Sequence, residues 1–224
     1  MFKIFWLLLV VMPGVSAVAD EFRPKGANAY QVVTGDDQEE DRGQWDALFN
    51  TQTYVFGRDP AQFLKEVVAR LPLGRALDIA MSEGRNAVYL AKKGFRVDGV
   101  DYSEVALRKA KRLARENHVS VNTINADLST YTIRPDHYKV IVNINYLQRS
   151  LMAQIKKGLK KGGMVVFESW TVEQLKNGSG QRVRRDYLLE KGELKEQFKD
   201  FEVLVYRETN DGRNAVASLL ARKK

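Results

Sequence analysis

The stretch that decides the fold covers residues 75–86 and reads RALDIAMSEGRN. It opens with Arg75–Ala80, a short and mainly apolar run that is typical of a buried strand. The small and polar residues Ser82-Glu83-Gly84 follow as a turn, and a helix is predicted from there through Lys93. A strand, a tight turn and a helix in this order form the first half of a βαβ unit. The stretch therefore predicts an α/β fold.

Strands and helices continue to alternate along the chain. The other predicted helices are Ala61–Arg70, a helix capped by Ser103, and one whose apolar stripe is Leu151, Met152, Ile155 and Leu159. The further predicted strands are Phe95–Asp101, Val121–Asp127, Lys139–Ile144 and Met164–Ser169, the last preceded by a turn at Lys161-Gly162-Gly163. Strands separated by helices of this length form right-handed crossovers, which predicts a parallel sheet.

The end of the chain has a different pattern. Phe201–Arg207 and Ala215–Ala221 are both strand-like, and Asn210-Asp211-Gly212 lies between them. An Asp-Gly pair between two such runs is a strong signal for a β-hairpin. The sequence therefore predicts a parallel sheet that finishes in an antiparallel hairpin.

Three acidic residues lie at the ends of the first three predicted strands: Asp78, Asp101 and Asp127. Ligands of open parallel sheets bind beyond these carboxyl ends. Asp101 follows Asp78 by about twenty residues, the spacing expected of a carboxylate that accepts ribose hydroxyls. One such aspartate is equally typical of a helix cap, but three in register predict a ligand site.

With these features the chain resembles class I S-adenosylmethionine-dependent methyltransferases, and more narrowly their tellurite-resistance-type branch. The resemblance runs from about Trp45 to Lys224. It is carried by Tyr54–Pro60 (YVFGRDP), Leu77–Ala87, Val100–Ser103, Ala126–Leu128, Tyr146–Arg149, Lys161–Gly163 and Glu168. It implies a Rossmann-like seven-stranded sheet of order 3-2-1-4-5-7-6, with the last strand antiparallel and helices on both faces.

The resemblance also implies a cofactor, S-adenosylmethionine, and the residues that hold it. Asp101 would bind the ribose and Asp127 the adenine amino group, while the loop Asp78–Gly84 would pass under the methionine part. The implied cofactor-binding residues are Asp78, Ala80, Ser82, Gly84, Asn86, Asp101, Tyr102, Ala126, Asp127, Leu128 and Asn143.

Aromatic residues are expected near the reacting centre. Tyr54 and Phe56 would form a lid, and Tyr54 and Tyr146 would act in positioning only. The ring faces of Trp45, Tyr54 and Tyr146 suit a sulfonium cation. Methyl transfer needs positioning and a dry pocket more than acid–base chemistry. The acceptor is expected to be a small molecule.

The loop departs from the Gly-x-Gly-x-Gly pattern of the family, because its positions are Ala80, Ser82 and Gly84. Ser82 lies where the backbone should approach the cofactor most closely, in a conformation that disfavours a Cβ atom. Two functions therefore stay open: a small-molecule methyltransferase, and an exported non-catalytic protein that retains the fold as a binding or assembly module. An oxidoreductase is disfavoured, since it would use a Gly-x-Gly-x-x-Gly turn.

Composition narrows the chemistry further. The chain has no cysteine and two histidines, which excludes disulfides and thiolate chemistry and disfavours a metal site, so none is predicted. Its net charge is +8, with basic clusters on helix faces that are expected to be solvated, among them Arg108–Arg115 and Lys156–Lys161. Aromatic residues are not interleaved with these clusters, so nucleic-acid binding is not expected. A third cluster, around Arg182, is predicted to be an exposed loop near the active-site rim.

The N-terminus has the layout of an export signal. Lys3 precedes an apolar run at residues 4–12, and Ala17-Val18-Ala19 provides the small residues of a cleavage site. The expected organisation is a signal peptide (1–19), a linker or N-terminal arm (20–44) and the methyltransferase domain (45–224). The expected location is periplasmic or secreted; the alternative is a membrane anchor at residues 4–12. The sequence gives no indication of oligomeric state.

Overall fold

A computed structural model describes residues 38–177 and 184–224. The predictions for the signal peptide, for most of the linker and for Arg182 lie outside these residues. Helix α1, Gln38–Phe49, begins inside the segment that was predicted to be a linker up to residue 44. Trp45 stacks on Phe49 with 5.6 Å between ring centroids, and Asp46 bonds to Ser103 and Val105, so tertiary contacts hold a helix that has little apolar periodicity.

Five further α-helices and seven strands follow among the described residues. The helices are α2 (Gln62–Val67), α3 (Arg85–Lys92), α4 (Glu104–Glu116), α5 (Met152–Gly158) and α6 (Glu193–Gln197). The strands are β1 (Arg75–Ile79), β2 (Arg96–Asp101), β3 (Val121–Asn125), β4 (Tyr138–Ile144), β5 (Leu159–Trp170), β6 (Glu202–Asn210) and β7 (Ala215–Arg222). Short 3₁₀ turns extend α2 and precede α5.

The strands form one seven-stranded sheet of order β3-β2-β1-β4-β5-β7-β6. Neighbours from β3 to β5 are parallel, while β7 runs antiparallel to both β5 and β6. The predicted sheet order and its C-terminal hairpin are therefore confirmed. Gly212, with φ +82°, lies in the connection between β6 and β7, as the Asp-Gly signal predicted.

Two apolar clusters cover the two faces of the sheet. One packs β-strand residues against α5 and α6, for example Ile155 and Leu194. The other packs the opposite face against α2, α3 and α4, for example Phe63, Leu90 and Ala110. Helices thus lie on both faces, and the central strands β1, β4 and β5 are apolar in both directions, as parallel strands covered on both sides require.

Helix α4 begins as the sequence predicted. The Ser103 hydroxyl accepts a hydrogen bond of 3.1 Å from the Ala106 N–H, which caps the first turn. Ser103 and Asp101 lie on either side of Tyr102, so the end of β2 and the start of α4 are joined by a turn of minimal length. This places Asp101 at the edge of the sheet, beside the loop that follows β1.

Two predicted boundaries around β5 are wrong. Leu159 was expected on the α5 stripe, but α5 ends at Gly158 and Leu159 begins β5, because it pairs with Tyr138 of β4. The predicted turn at residues 161–163 lies inside β5, where the strand register shifts between Tyr138 and Val140 and Gly162 has φ +73°. A glycine-containing bulge therefore replaces a separate turn. No helix within residues 38–177 and 184–224 is both long and apolar enough to span a bilayer.

Candidate active site

A cavity of about 340 Å³ opens at the carboxyl ends of the parallel strands. This volume lies in the range of small-molecule sites. Its lining comes from the loops after β1, β2, β3 and β4 and from the end of β5. Further lining residues come from the segment before β1 and from the segment between β5 and α6. The lining residues are Trp45, Phe49, Phe56, Ala80, Ser82, Asp101, Tyr102, Asp127, Leu128, Ser129, Asn145, Tyr146, Leu147, Gln148, Ser169, Trp170 and Tyr187.

The loop after β1 turns with a left-handed backbone at three positions. Ala80 has φ +50°, Ser82 has φ +53° and Gly84 has φ +84°. These are the three positions of the family's glycine pattern, so the expectation that Ser82 adopts a positive φ is confirmed. The left-handed region costs about 1–2 kcal/mol for a residue that carries a Cβ atom. The loop therefore keeps the shape of a glycine loop at a cost in backbone strain.

Asp101 holds that loop in place. Its carboxylate accepts hydrogen bonds from the Ser82 N–H (2.8 Å) and from the Ser103 N–H (3.0 Å). The side chain lines the cavity although the residue is only 8% exposed. Burial raises its pKa to about 6, against the opposing effect of the backbone N–H donors, and the neighbouring charge of Asp46 raises it further. Asp101 thus joins the loop to the ribose side of the predicted cofactor site.

Asp78 lies below the same loop and is 1% exposed. It accepts a hydrogen bond from the Ala87 N–H in the first turn of α3, but burial still raises its pKa to about 7. Its Oδ2 atom and the Ser82 Oγ atom are buried, and neither has a hydrogen-bond partner within the described part of the chain. Buried polar atoms are normally hydrogen-bonded, so the Ser82 Oγ atom, whose residue lines the cavity, marks a place for a polar ligand group, whereas Asp78 does not itself line the cavity.

The adenine side of the predicted site is also assembled. Tyr102, Asp127 and Leu128 all line the cavity. Asp127 was predicted to close β3, but the strand ends at Asn125, and Asp127 lies in the following loop. There its Oδ1 atom accepts a hydrogen bond of 2.7 Å from the Ser129 N–H, which fixes the carboxylate at the cavity wall.

Five of the predicted cofactor residues do not line the cavity: Asp78, described above, and Asn86, Asn143, Ala126 and Gly84, which support the site from outside it. Asn86 is buried and accepts a hydrogen bond of 2.9 Å from the Ala61 N–H, which anchors the start of α2. The Asn143 amide donates to the Tyr146 carbonyl at 2.6 Å and so holds the loop after β4. Ala126 packs against the core, and Gly84 allows α3 to approach Ala110 of α4.

Tyr54, predicted as a lid and positioning residue, does not line the cavity. Its ring faces three cationic groups, Arg58, Lys109 and Arg112, at 5.3–5.4 Å. Its hydroxyl donates to the Lys109 carbonyl at 3.3 Å, on the side of α4. Its neighbour Phe56 does line the cavity, so the lid prediction holds for the placement of Phe56 and not for that of Tyr54.

The sequence reasoning missed three residues of the aromatic wall. Phe49 lies on α1, Trp170 at the end of β5 and Tyr187 in a short helical turn before α6, and all three line the cavity. Tyr146, which was predicted, lies opposite the cofactor loop and donates from its hydroxyl to Gln148 at 2.6 Å. The sequence feature that could have identified them is the high frequency of aromatic residues before and after the βαβ core.

Arg149 ties two parts of this wall together. Its guanidinium bonds both carboxylate oxygens of Glu193, at 2.7 and 2.9 Å. It also donates to the carbonyl groups of Asp186 (2.7 Å) and Leu188 (2.9 Å), on either side of Tyr187. Arg149 therefore fixes the Tyr187 segment relative to the loop that carries Tyr146.

The prediction of a solvated basic face on α4 is wrong at one position. Lys109 has a side chain that is only 8% exposed, and it forms an ion pair with the buried Glu83. The reason is that the segment after α1 covers this part of the helix, which the periodicity of α4 alone does not reveal. Arg108, Lys111, Arg112 and Arg115 are exposed as expected.

Comparison with known proteins bears directly on this site. A family model described as a methyltransferase domain matches residues 76–163. The probable S-adenosyl-L-methionine-dependent methyltransferase TehB of Haemophilus influenzae is 26% identical over 165 residues, which are 67% of this chain and 57% of that protein. The chain thus spans somewhat over half the length of this curated relative.

Solved structures agree on the fold. The crystal structure of TehB from Haemophilus influenzae superposes with a TM-score of 0.62 at 21% identity, over 82% of this chain and 67% of that one. The [4+2]-cyclase SpnF superposes with a TM-score of 0.58 at 18% identity, over 71% of this chain and 79% of that one. At these identities the likeness shows the fold alone, and the second example carries a name other than methyltransferase.

The sheet order and the position of the cavity agree with the class I methyltransferase fold, and the model that matches residues 76–163 describes a methyltransferase domain. In sequence and in fold, the chain is similar to TehB of Haemophilus influenzae, whose name describes a probable S-adenosyl-L-methionine-dependent methyltransferase. The residues present fit the cofactor, because two acidic side chains and Ser82 line the cavity, and the buried Ser82 Oγ atom has no hydrogen-bond partner among the described residues.

Proposed function

We propose that this protein transfers a methyl group from S-adenosylmethionine to a small-molecule acceptor. The observation that carries the proposal is a single cavity that joins Ser82, Asp101 and Asp127 to an aromatic wall. The polar half suits a nucleoside, and the aromatic half suits the methyl donor and its acceptor. A cavity of about 340 Å³ favours a small molecule over a polymer.

Each side chain has a definite task in this proposal. Asp101 would accept the ribose hydroxyls, Asp127 the adenine amino group, and Leu128 would pack on the adenine ring. Asp78 and Ser82 would meet the polar end of the methionine part, where their buried atoms have no other partner among the described residues. When bound, the cofactor supplies an electrophilic methyl group on a positively charged sulfur.

The aromatic residues would orient the acceptor and exclude water. Trp45, Phe49 and Phe56 cover one side of the cavity, and Tyr146 and Trp170 line it as well. Aromatic ring faces stabilise a nearby cation by roughly 0.5–2 kcal/mol. In-line transfer depends on alignment, which these rings provide without a proton-transfer group.

A second candidate function rests on the strained loop. Ala80 and Ser82 both adopt a left-handed backbone where the family uses glycine. A non-catalytic binding or assembly protein would tolerate this change, since it needs no close approach to the cofactor. The two functions differ in one measurable property, the affinity for S-adenosylmethionine.

We also propose export of the mature protein from Asp20 onwards, on the basis of the Met1–Ala19 pattern. Expression of the full chain followed by N-terminal sequencing tests this proposal. A mature terminus at Asp20 in the periplasmic or secreted fraction supports cleavage and export. Retention of Met1 on a membrane-bound chain contradicts cleavage and favours the anchor at residues 4–12.

The experiment for the main proposal is isothermal titration calorimetry with S-adenosylmethionine. Micromolar binding is expected for the wild type and its loss for Asp101→Ala. The matched control is Asp98→Asn, because Asp98 is a buried carboxylate of the same strand that pairs with Arg75 away from the cavity. Binding restored only by Ser82→Gly would favour the non-catalytic function, and no binding by either folded protein would exclude a cofactor site.

A further inference from the structure

A buried ion pair lies next to the cofactor loop. Lys109 of α4 and Glu83 of the loop after β1 have side chains that are 8% and 2% exposed, and their charged groups are in direct contact. Burying two charges is costly, and removal of one partner leaves the other unpaired at a still greater cost. The contacts of the pair show which parts of the structure it holds together.

Lys109 reaches from α4 to the segment that follows α1. Its ammonium group donates to the Phe49 carbonyl (3.0 Å), the Thr53 carbonyl (2.6 Å) and the Thr51 hydroxyl (3.3 Å). A single side chain thus collects three acceptors from residues 49–53 in addition to Glu83. Lysine has three N–H donors, so the ammonium group has no capacity left for solvent.

The loop after β1 and the start of α3 also form hydrogen bonds with the segment that follows α1. The second carboxylate oxygen of Glu83 accepts a hydrogen bond of 3.2 Å from the Phe56 N–H. Arg85, two residues further on, donates to the Phe56 carbonyl at 3.0 Å. Phe56 is therefore held through both of its backbone groups by residues of the turn into α3.

These contacts join two walls of one cavity. Phe49 and Phe56 both line it, with their rings 5.8 Å apart in an edge contact, and Ser82 lines it directly before Glu83 in the chain. We infer that Glu83 and Lys109 are positioning residues, which set the aromatic cover of residues 49–56 against the cofactor loop and so set the affinity for S-adenosylmethionine. This inference rests on the proposed function for its ligand, but not for its structural part.

The structural part is tested by hydrogen–deuterium exchange of the full chain without ligand. The test variant is Glu83→Gln with Lys109→Met, which removes both charges and keeps an oxygen for the Phe56 N–H. Backbone amides of residues 45–57 are expected to exchange at least about tenfold faster, while those of β4 and β5 keep their wild-type rates. Uniform acceleration throughout the domain, or unchanged exchange in residues 45–57, overturns the inference.

The ligand part is tested by calorimetry with S-adenosylmethionine. The single variants Glu83→Gln and Lys109→Met and the double variant are each expected to bind about tenfold more weakly than the wild type. Because the pair acts as one unit, the double variant should lose no more affinity than either single variant. Additive losses would show that the two side chains act separately and would overturn the inference.

The control is another ion pair between a lysine and a carboxylate, Lys156 and Asp200, which is more exposed than Lys109 and Glu83 and lies at α5, outside the cavity lining. Lys156→Met with Asp200→Asn is expected to leave both affinity and exchange in residues 45–57 unchanged. If the wild type itself fails to bind S-adenosylmethionine, the proposed function fails, while the exchange measurement still decides whether the pair positions the aromatic cover.

Discussion

Ser82 combines a serine side chain with a backbone φ of +53° at the point where the cofactor loop lines the cavity. Its Oγ atom is buried and has no hydrogen-bond partner within the described residues, so its hydroxyl does not offset the strain inside that part of the chain. Substitution of Ser82 is therefore expected to affect both stability and ligand binding.

Substitution of Ser82 by glycine should relieve this strain. We expect Ser82→Gly to stabilise the protein by about 1 kcal/mol, a rise of roughly 2–4 °C in Tm, because glycine adopts a positive φ without a Cβ penalty. Differential scanning calorimetry measures the change. Ser129→Gly is the control, because Ser129 also lines the cavity but does not have a positive φ. Equal shifts in Tm for the two variants would contradict the explanation.

Asp101 should make cofactor binding depend on pH. Its carboxyl group has a pKa of about 6 in the ligand-free protein, and only the ionised form accepts hydrogen bonds from both ribose hydroxyls. The affinity for S-adenosylmethionine is therefore expected to rise between pH 5 and pH 7, with an inflection near pH 6. Calorimetry across this range measures it.

Two variants separate this cause from others. Asp101→Asn should abolish the pH-dependent part of binding, since the amide does not titrate. Asp46→Asn should move the inflection to lower pH, because the charge of Asp46 is one of the causes that raise the pKa of Asp101. An unchanged pH profile in Asp101→Asn would assign the dependence to another group.

At the level of single residues, sequence reasoning succeeded where a side chain follows directly from a strand end. Asp101 and Asp127 were found this way, and both line the cavity. The prediction for Tyr54 failed, because its ring packs against two cations of α4, Lys109 and Arg112, as well as against the nearby Arg58, and the contacts with α4 are not visible from the neighbouring sequence. Tyr187 was missed for a similar reason, since a contact of Arg149 from another loop places it.

Among the elements, the packing of α3 against α4 depends on Gly84. A Cβ atom at this position would lie 2.7 Å from the Ala110 Cβ atom and 3.1 Å from its Cα atom, and Gly84 has φ +84°. We expect Gly84→Ala to destabilise the protein by about 2–4 kcal/mol, through overpacking and backbone strain together. Urea denaturation measures the loss.

Gly162 provides the matched control for that variant. Its φ of +73° is similar, but nothing lies within 4 Å of an added Cβ atom. Gly162→Ala should therefore cost only the backbone strain, about 1–2 kcal/mol. If both variants lose the same stability, helix packing makes no contribution at Gly84.

Arg149 connects the loop after β4 with α6 through two hydrogen bonds to Glu193, and with the segment before α6 through two more, to the carbonyl groups of Asp186 and Leu188. Lysine keeps the charge but lacks the planar fork, so Arg149→Lys should release the segment around Tyr187. Hydrogen–deuterium exchange of residues 184–190 is expected to be about tenfold faster in this variant. Arg185→Lys is the control, because the exposed Arg185 side chain pairs with the exposed Glu190 at the surface, and it should leave the exchange unchanged.

Element prediction from the sequence was accurate for the strands and less so for the helix ends. Periodicity located all seven strands of the described sheet, because alternating or continuous apolar runs are a local property. It failed at Leu159, which pairs with Tyr138 of β4, and at Gly162, where the register against β4 shifts. Such long-range contacts leave no mark in a window of neighbouring residues.

For the molecule as a whole, two buried aspartates link stability to pH. The pKa values of Asp78 and Asp101 are about 7 and about 6 in the folded protein, above the ordinary value of 3.8. At pH values between the ordinary pKa and the raised pKa values, these two side chains bind more protons in the folded state than in the unfolded state. The free energy of unfolding due to these groups therefore falls as pH rises from about 4 to about 7.

We expect the ligand-free protein to lose on the order of 3 kcal/mol of stability between pH 5 and pH 8 from these two side chains. Urea denaturation at both pH values measures the difference. In Asp78→Asn with Asp101→Asn, which cannot ionise, this part of the loss should vanish. A loss of the same size in the double variant would show that other groups are responsible.

Most of the aromatic wall comes from outside the segment that the methyltransferase domain model matches. Trp45, Phe49 and Phe56 precede residues 76–163, and Trp170 and Tyr187 follow them, whereas Tyr146 lies within, as do Ser82, Asp101 and Asp127. Under the proposed function, the residues that bind the cofactor and most of those that face the acceptor are thus encoded in different parts of the gene. Mutation can remodel the two flanking segments while the nucleoside-binding loops stay intact, so related proteins that share the central segment are free to diverge in the molecules they modify.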